Sequence, residues 1–126
     1  MKDINVNCQA AKIGWGIKIS NLRVAVYRAV LFDKSGVVLM TWDHQRTDDS
    51  IPDQFDFKAG LALDQSHLWF QAIIMDPTDT GGPYNAEVSI LQDKNVVDSY
   101  THSGTIPPGD GAMDQFSDEI RLLCNI

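Results

Sequence analysis

Apolar and polar residues alternate one by one along most of this chain, in short runs separated by Gly, Pro and Asp. In a β-strand successive side chains point to opposite faces, so this alternation predicts half-buried strands. About eight such runs follow one another at regular spacing, with turn residues between them. We therefore expect an all-β protein, an antiparallel two-sheet β-sandwich without βαβ units.

Two turns and one irregularity are marked clearly in the sequence. Residues 33–36 predict a tight hairpin, because Gly36 can adopt a positive φ, and residues 93–95 predict another. The alternation slips at Arg28 and Ala29, which indicates a β-bulge or a bend between sheets.

The remaining boundaries follow from composition. Residues 43–54 and 101–115 are polar and are expected to be long loops. Residues 68–75 are apolar on both faces, which is typical of a central strand. The predicted strands cover residues 4–10, 16–19, 22–32, 37–42, 55–63, 68–75, 84–91 and 96–100, with a last strand from about Ile120. A helix is the alternative for this last segment, because Phe116, Ile120 and Leu123 also fit a helical stripe.

Length, composition and charge narrow the class of protein. With 126 residues, 44% of them hydrophobic, the chain predicts a single soluble domain over residues 1–126. Its apolar runs are too short to cross a bilayer, so we do not expect a transmembrane protein. The formal charge of −7 would repel a phosphate backbone, which argues against nucleic acid as a partner. The first residues have no secretory pattern, so the cytoplasm is the default location, with signal-independent secretion as the alternative.

The chain has two cysteines, one near each end. Cys8 shares a predicted strand face with Val6, and Cys124 shares one with Leu122, so both are expected in the same half of the core. We expect two buried free thiols, because the default compartment is reducing. The alternative is a disulfide between the terminal strands, which would stabilise the fold by roughly 4–5 kcal/mol.

Residues 81–88, with the sequence GGPYNAEV, resemble the entry to the sixth strand of fibronectin type III domains, where a glycine precedes a tyrosine by three residues. The same segment is similar to the tyrosine corner of immunoglobulin-like sandwiches. The resemblance covers about ten residues and implies an immunoglobulin-like topology, although the chain lacks that family's inter-sheet cysteine pair. A jelly roll is the alternative topology.

Residues 17–22, with the sequence IKISNL, resemble the early strands of aegerolysins, a family of small acidic lipid-binding sandwiches. The later aromatic pattern of that family is not present in this chain. The resemblance implies a second function class, a membrane-active, toxin-like lipid-binding β-sandwich.

Two of the three tryptophans adjoin flexible or polar segments, which favours a role in binding. The binding interpretation places Trp15, which lies between two glycines, exposed on a turn, and Trp42, which ends a strand, exposed at the start of an acidic loop. The alternative is that the rings are partly buried over the edge of the sandwich. Trp69 lies in an apolar run and is expected in the core. A tryptophan beside carboxylates is typical of carbohydrate sites, since sugars stack on indole and hydrogen-bond to acids. The predicted binding residues are Trp15, Trp42, Asp43, His44, Asp48 and Asp49.

Acidic residues cluster in several predicted loops. If these loops share one pole of the sandwich, their carboxylates could hold calcium, which takes about six to eight oxygen ligands. The alternative is that Asp stabilises turns by bonding its own backbone. The histidines have no recognised ligand spacing, so zinc is not expected. The candidate calcium ligands are Asp76, Asp79, Asp110 and Asp114, and no other cofactor is expected.

No serine lies in a nucleophile elbow and no cofactor motif is recognised, so we do not expect an enzyme. We expect a non-catalytic binding or interaction module whose loops at the sandwich ends contact a carbohydrate or a protein. An enzyme with an unrecognised site is a further alternative, beside the membrane-active one. An exposed edge strand could pair with that of a second copy and so form a homodimer.

Overall fold

The computed structural model describes residues 1–9, 12–20, 23–47, 52–76, 78 and 80–124. Within these residues the chain forms nine strands and no helix, and accordingly no described helix is long and apolar enough to cross a membrane. The strands are β1 (Lys2–Val6), β2 (Ile13–Ile19), β3 (Val24–Phe32), β4 (Val38–Thr47), β5 (Asp53–Asp56), β6 (His67–Met75), β7 (Gly82–Gln92), β8 (Asn95–Ile106) and β9 (Met113–Cys124).

The strands form two sheets that pack face to face, which confirms the predicted β-sandwich. Five strands make one sheet in the order β1-β9-β6-β3-β4, and four make the other in the order β5-β2-β7-β8. Neighbouring strands are antiparallel except β1 and β9, which pair in parallel. β6 is the middle strand of the five-stranded sheet, which is the central position predicted for residues 68–75.

The core lies between the sheets and follows the alternation of the sequence. In β6, Leu68, Phe70, Ala72 and Ile74 are buried, while the residues between them are half-buried on the outer face. The facing sheet contributes buried residues of β2 and β7, which are Trp15, Ile17, Ile19, Tyr84, Ala86, Val88 and Ile90. Each large apolar side chain that is fully buried stabilises the fold by roughly 1.5–3 kcal/mol, so this layer is the main source of stability.

The two predicted hairpins and the predicted irregularity are confirmed. Gly36 has a φ of +86° between β3 and β4, and Asp93 and Lys94 adopt positive φ between β7 and β8. The register of β3 against β4 shifts between Tyr27 and Ala29, where the alternation of the sequence slips. Turn chemistry and apolar periodicity therefore determine this part of the fold.

Several strand boundaries differ from the prediction, chiefly in polar segments. β4 continues to Thr47, β8 runs on to Ile106, and β9 already begins at Met113, so much of both predicted long loops is strand. β8 is an edge strand that exposes most of its residues, and its sequence therefore shows little apolar alternation. β5, by contrast, ends at Asp56 and is shorter than predicted.

Cys8 and Cys124 form a disulfide, so the expectation of two free thiols is wrong. The parallel pairing of β1 with β9 sets Val6, the last residue of β1, beside Cys124. Cys8 follows in a turn with its Cα 5.4 Å from that of Cys124, which is within bonding range. The prediction that both cysteines lie in the same half of the sandwich is confirmed, and the inference from a default reducing compartment failed.

Tyrosine hydroxyl groups join the two sheets. Tyr27 in β3 donates a hydrogen bond to Oδ2 of Asp53 in β5 at 2.5 Å. Tyr84 in β7 donates to Oδ2 of Asp114 in β9 at 2.6 Å. In a tyrosine corner the hydroxyl bonds instead to backbone a few residues upstream, so Tyr84 serves here as a bridge across the sandwich.

Tyr100 repeats this arrangement, since its hydroxyl lies beside the carboxylate of Asp118 on β9. Burial, together with the bond to an aspartate, raises the pKa of Tyr27, Tyr84 and Tyr100, in the last case to about 12. The folded protein therefore keeps all three phenols protonated beyond the pH at which a free tyrosine ionises.

Candidate functional site

Trp15 and Trp42, the two tryptophans predicted to be exposed, are buried in an aromatic cluster. Trp15 is 0% exposed and Trp42 is 8% exposed. Their ring centroids lie 5.5 Å apart in edge-to-face packing, and Trp15 also contacts Tyr27 and Phe55. The expected exposure of both rings is therefore wrong, and the two residues stabilise the core.

The glycines beside Trp15 belong to a strand and not to a flexible turn. A Cβ on Gly14 would lie 2.1 Å from the carbonyl oxygen of Phe55, and one on Gly16 would lie 2.8 Å from that of Asp53. Any side chain at these positions would collide with the backbone of β5. The glycines let β5 approach β2 closely instead of forming a flexible turn.

Of the remaining residues of the predicted tryptophan site, the structure describes the side chain of Asp43. β4 continues through Asp43, whose side chain is exposed, while Trp42 points to the opposite face and into the core. The side chain of His44, and Asp48 and Asp49, lie outside the described residues. A sugar therefore finds no indole platform at Trp42.

The predicted calcium residues lie partly together. Asp76 and Asp110 line one cavity of about 340 Å³, so their loops do share a pole of the sandwich. Asp114 accepts a hydrogen bond from the Tyr84 hydroxyl. Asp79 lies outside the described residues.

Asp76 is buried, and protein donors occupy its oxygens. It accepts hydrogen bonds from the Thr78 hydroxyl and backbone N–H, the Thr80 hydroxyl and the Gly81 backbone N–H, and its Oδ1 lies 3.0 Å from Arg23 Nη1. The hydrogen bonds, above all those from Thr78, hold the pKa of Asp76 well below its usual range. Calcium would have to displace these donors, and no three described His, Cys, Asp or Glu residues are arranged for a metal. Calcium binding stays a prediction, which the melting temperature at rising calcium concentration tests.

The outer faces of the two sheets differ in chemistry. The four-stranded sheet presents polar side chains, for example the directly paired row of Lys18, Glu87 and Thr101. In the five-stranded sheet, β3 and β6 present mainly apolar side chains that are half-buried on the outside. We call this surface the β3–β6 face, and its members are Val24, Val26, Val30, Phe32, Trp69, Ile73 and Met75.

The strand register makes the β3–β6 face continuous. Val30 pairs directly with Trp69, and Val26 pairs directly with Ile73. Directly opposite residues of an antiparallel pair share a face, with Cβ atoms roughly 4.5–5.5 Å apart. Met113, which is 52% exposed, pairs with the last residue of β6 and extends the surface onto β9. This continuous apolar surface is the candidate functional site.

Arg28 lies midway along β3, at the centre of the β3–β6 face. Its guanidinium carbon is 5.1 Å from the centre of the Trp69 ring, and its Nε donates a hydrogen bond to Gln71 Oε1 at 3.1 Å. The side chain is exposed, and within the described part of the chain it forms no ion pair. The expectation that Trp69 belongs to the core is therefore wrong, because the ring is half-buried on the outside beneath a cation.

A histidine–glutamate pair and an arginine–aspartate pair border the β3–β6 face on β6, β9 and β1. His67 Nδ1 lies 3.2 Å from Glu119 Oε2, and Arg121 binds the Asp3 carboxylate through two nitrogens at 3.0 and 2.7 Å. The hydrogen bond from Arg121 lowers the pKa of Asp3. An apolar centre within a polar rim is the usual anatomy of a protein interface.

Sequence reasoning missed this surface, although residues 68–75 carry a signal for it. A strand of a two-sheet sandwich needs only one apolar face, so a second apolar face calls for a separate explanation. A central position in the sheet does not supply that explanation, because it accounts for hydrogen bonding on both edges and not for burial on both faces.

No family model matches the chain, and no curated protein matches it. Among solved structures, the chain is similar to a DUF4425 family protein from Bacteroides ovatus ATCC 8483, with a TM-score of 0.43 and 10% sequence identity. The likeness covers 88% of this chain and 96% of that one. At this TM-score and identity it carries no argument about function.

Proposed function

We propose that this protein is a non-catalytic interaction module whose β3–β6 face binds a protein partner. The observation that carries the proposal is the continuous apolar outer face with Arg28 stacked on Trp69 at its centre. Trp, Phe, Met and Arg are enriched at protein interfaces, and Trp and Arg are enriched among the few residues that dominate binding energy. Covering this face would remove apolar surface from water, and this transfer is favourable by about 25 cal/mol per Å² before the entropic cost of association is subtracted.

The partner is expected to present a carboxylate opposite Arg28. Within the described residues, the guanidinium of Arg28 forms no ion pair, and it donates one hydrogen bond to a neutral acceptor, Gln71 Oε1. A carboxylate can bind two guanidinium N–H groups at once, which adds both energy and orientation. Such complementarity would also select among partners.

A second copy of the chain is a poorer occupant of this face. In a two-fold, face-to-face dimer, residues near the axis meet their own copies. Arg28 lies at the centre of the face, so two like charges would approach each other there. The predicted homodimer through an edge strand would use another surface, and at the β8 edge Lys2 Nζ already donates to the carbonyl oxygen of Ser99.

Carbohydrate, the other ligand class that the sequence predicts, fits the face less well. Trp69 has Gln71 and Glu119 nearby, which suits hydrogen bonding to a sugar. Arg28, however, covers the ring face on which a sugar would stack. A protein partner therefore fits the β3–β6 face better than a carbohydrate does.

Photocrosslinking tests the proposal. A benzophenone amino acid replaces either Ser117, which is exposed and pairs with Gln71, or Thr101, which is exposed on the outer face of the other sheet. In extract from the native source we expect a discrete adduct from position 117 and none from position 101. The adduct is expected to disappear when Ile73→Asp places a charge on the face. Equal labelling from both positions, or an adduct that survives Ile73→Asp, would contradict the proposal.

Liposome co-sedimentation separates the membrane-active alternative. The proposal predicts that the protein stays in the supernatant with neutral and with anionic vesicles. Sedimentation that Ile73→Asp abolishes would assign the β3–β6 face to lipid and not to a protein partner.

A further inference from the structure

Two adjoining depressions lie at the end of the sandwich where β5 ends and β7 turns into β8. They measure about 350 and about 150 Å³, and Lys12 and Asp56 line both of them. We call the two together the lysine groove. The apolar wall of its larger part consists of Ile13, Phe57, Leu61 and Leu63.

The lysine groove is locally positive in an acidic protein. Lys12, Lys58 and Lys94 line it, against the single lining carboxylate of Asp56, while the whole chain has a formal charge of −7. None of the three ammonium groups forms an ion pair within the described residues. Asp93, in the adjacent turn, bonds the backbone N–H of Lys12 and not its ammonium group. Among the described lining residues, the groove therefore holds three cations against one carboxylate.

We propose that the lysine groove binds a small amphipathic carboxylate. The apolar body of the ligand lies against Phe57 and Leu61, and its carboxylate lies between Lys12 and Lys58. Hydrogen bonds between ammonium and carboxylate groups are charge-assisted and strong, and apolar walls with a few charged groups are usual for small-molecule sites. The volume of the larger part suits a small molecule, at the lower end of the roughly 300–1,000 Å³ range of ligand pockets, and is too small for a folded partner.

This site is separate from the β3–β6 face. The groove is built from β2, β5 and the segments that follow β5 and β7, whereas the face belongs to the other sheet. Loss of partner binding at the face would leave the groove intact, and the reverse also holds.

Decanoate is a suitable probe, because it combines one carboxylate with an apolar chain. We expect saturable binding by calorimetry below its micelle concentration, with amide shift changes concentrated at residues 56–63 and at Lys12. Decanol and decyltrimethylammonium, which keep the chain and change the head group, are expected to bind at least tenfold more weakly.

Lysine variants test the position of the carboxylate. Lys12→Gln and Lys58→Gln are each expected to raise the Kd of decanoate roughly tenfold. Lys34→Gln is the matched control, because it changes the net charge equally but lies exposed in the 33–36 hairpin and lines neither depression. All three side chains are exposed, so the variants are expected to fold, which circular dichroism checks.

Three results would overturn the proposal. The first is the absence of saturable decanoate binding, and the second is equal binding of the cationic and neutral probes. The third is a loss of affinity in Lys34→Gln as large as that in Lys58→Gln, which would reduce the effect to overall charge.

Discussion

Trp15 and Trp69 occupy opposite environments at the scale of single residues. Trp15 is 0% exposed between the sheets and meets three other aromatic rings, while Trp69 lies half-buried on the outer face beneath Arg28. Removing the Trp15 ring would leave a cavity that the surrounding strands cannot fully close. Removing the Trp69 ring would leave no enclosed cavity, because water already reaches part of this ring.

The two tryptophans are therefore expected to differ in their contribution to stability. Trp15→Ala should lower the free energy of unfolding by roughly 3–5 kcal/mol, as a large-to-small change in the core does. Trp69→Ala should lower it by roughly 1 kcal/mol, mostly through the lost contact with Arg28. Urea denaturation followed by circular dichroism measures both, and equal losses would show that the assignment of the two rings is mistaken.

At the scale of elements, β6 and the β3–β4 hairpin are predictable from sequence, and β5, β8 and β9 are predictable only in part. In β6 the burial of every second residue follows the apolar pattern directly, and the hairpin has Gly36 at its turn. β8 is an edge strand in which Ile106 is the one fully buried residue, so hydrogen bonding to β7 contributes more than apolar burial to keeping it a strand. Its polar sequence therefore resembles that of a loop.

The candidate site was harder to predict than the fold because it depends on what lies beside each residue in space. In the sequence, Gly14 and Gly16 look like part of a flexible turn. In the structure they let β5 approach β2 closely, and this is a long-range contact that the local sequence does not reveal. The pairing that brings Val30 beside Trp69 is long-range as well. Alternation places a residue on one face of a strand, but it does not say which strand lies next to it.

The disulfide between the end of β9 and the turn after β1 is the element-scale constraint that closes the longest loop. It links residues 116 positions apart, for which chain entropy gives a stabilisation of about 4–5 kcal/mol. Cys8→Ser should lower the free energy of unfolding by about that amount, and dithiothreitol should destabilise the wild type but not the variant. A variant as stable as the oxidised wild type would show that the bond contributes nothing.

The Cys8–Cys124 disulfide also has a consequence for the cellular compartment of the protein. Disulfides persist in oxidising compartments and are rare in the cytosol, so the disulfide and the default cytoplasmic location lead to opposite expectations. Counting free thiols on unfolded protein from its native source, trapped with an alkylating agent, distinguishes them. We expect none, and two free thiols per chain would mean that the bond does not form there.

At the scale of the whole molecule, the sheets are joined by apolar contact and by tyrosine–aspartate pairs near their margins. Tyr27, Tyr84 and Tyr100 are the three tyrosines of the chain, and each hydroxyl lies beside an aspartate of the opposite sheet. Ionising any of the three phenols in the folded state would place two negative charges side by side. Alkaline pH is therefore expected to act on the packing of the two sheets as a unit.

Stability is expected to be lost at high pH with a defined onset. Folding raises the pKa of each phenol, so the unfolded chain releases these protons from about pH 10 while the folded protein retains them. The contribution is complete below pH 10 and is lost as the pH rises toward the folded-state values. Absorbance at about 295 nm measures tyrosine ionisation, and far-UV circular dichroism measures the β-sheet signal. Ionisation and loss of the sheet signal should occur together as the pH rises. Ionisation of all three phenols near pH 10 with the sheet signal intact would contradict the buried pairs.

The central claim is that the β3–β6 face is the surface through which this protein works. It is tested most directly by the Kd of the crosslinked partner for the wild type, Trp69→Ala and Thr101→Ala, with folding checked by melting temperature. Trp69→Ala should raise the Kd about thirtyfold or more, as the loss of a dominant interface residue does, while Thr101→Ala should leave it unchanged. An unchanged Kd for Trp69→Ala together with a raised Kd for Thr101→Ala would place the binding surface on the other sheet and contradict the claim.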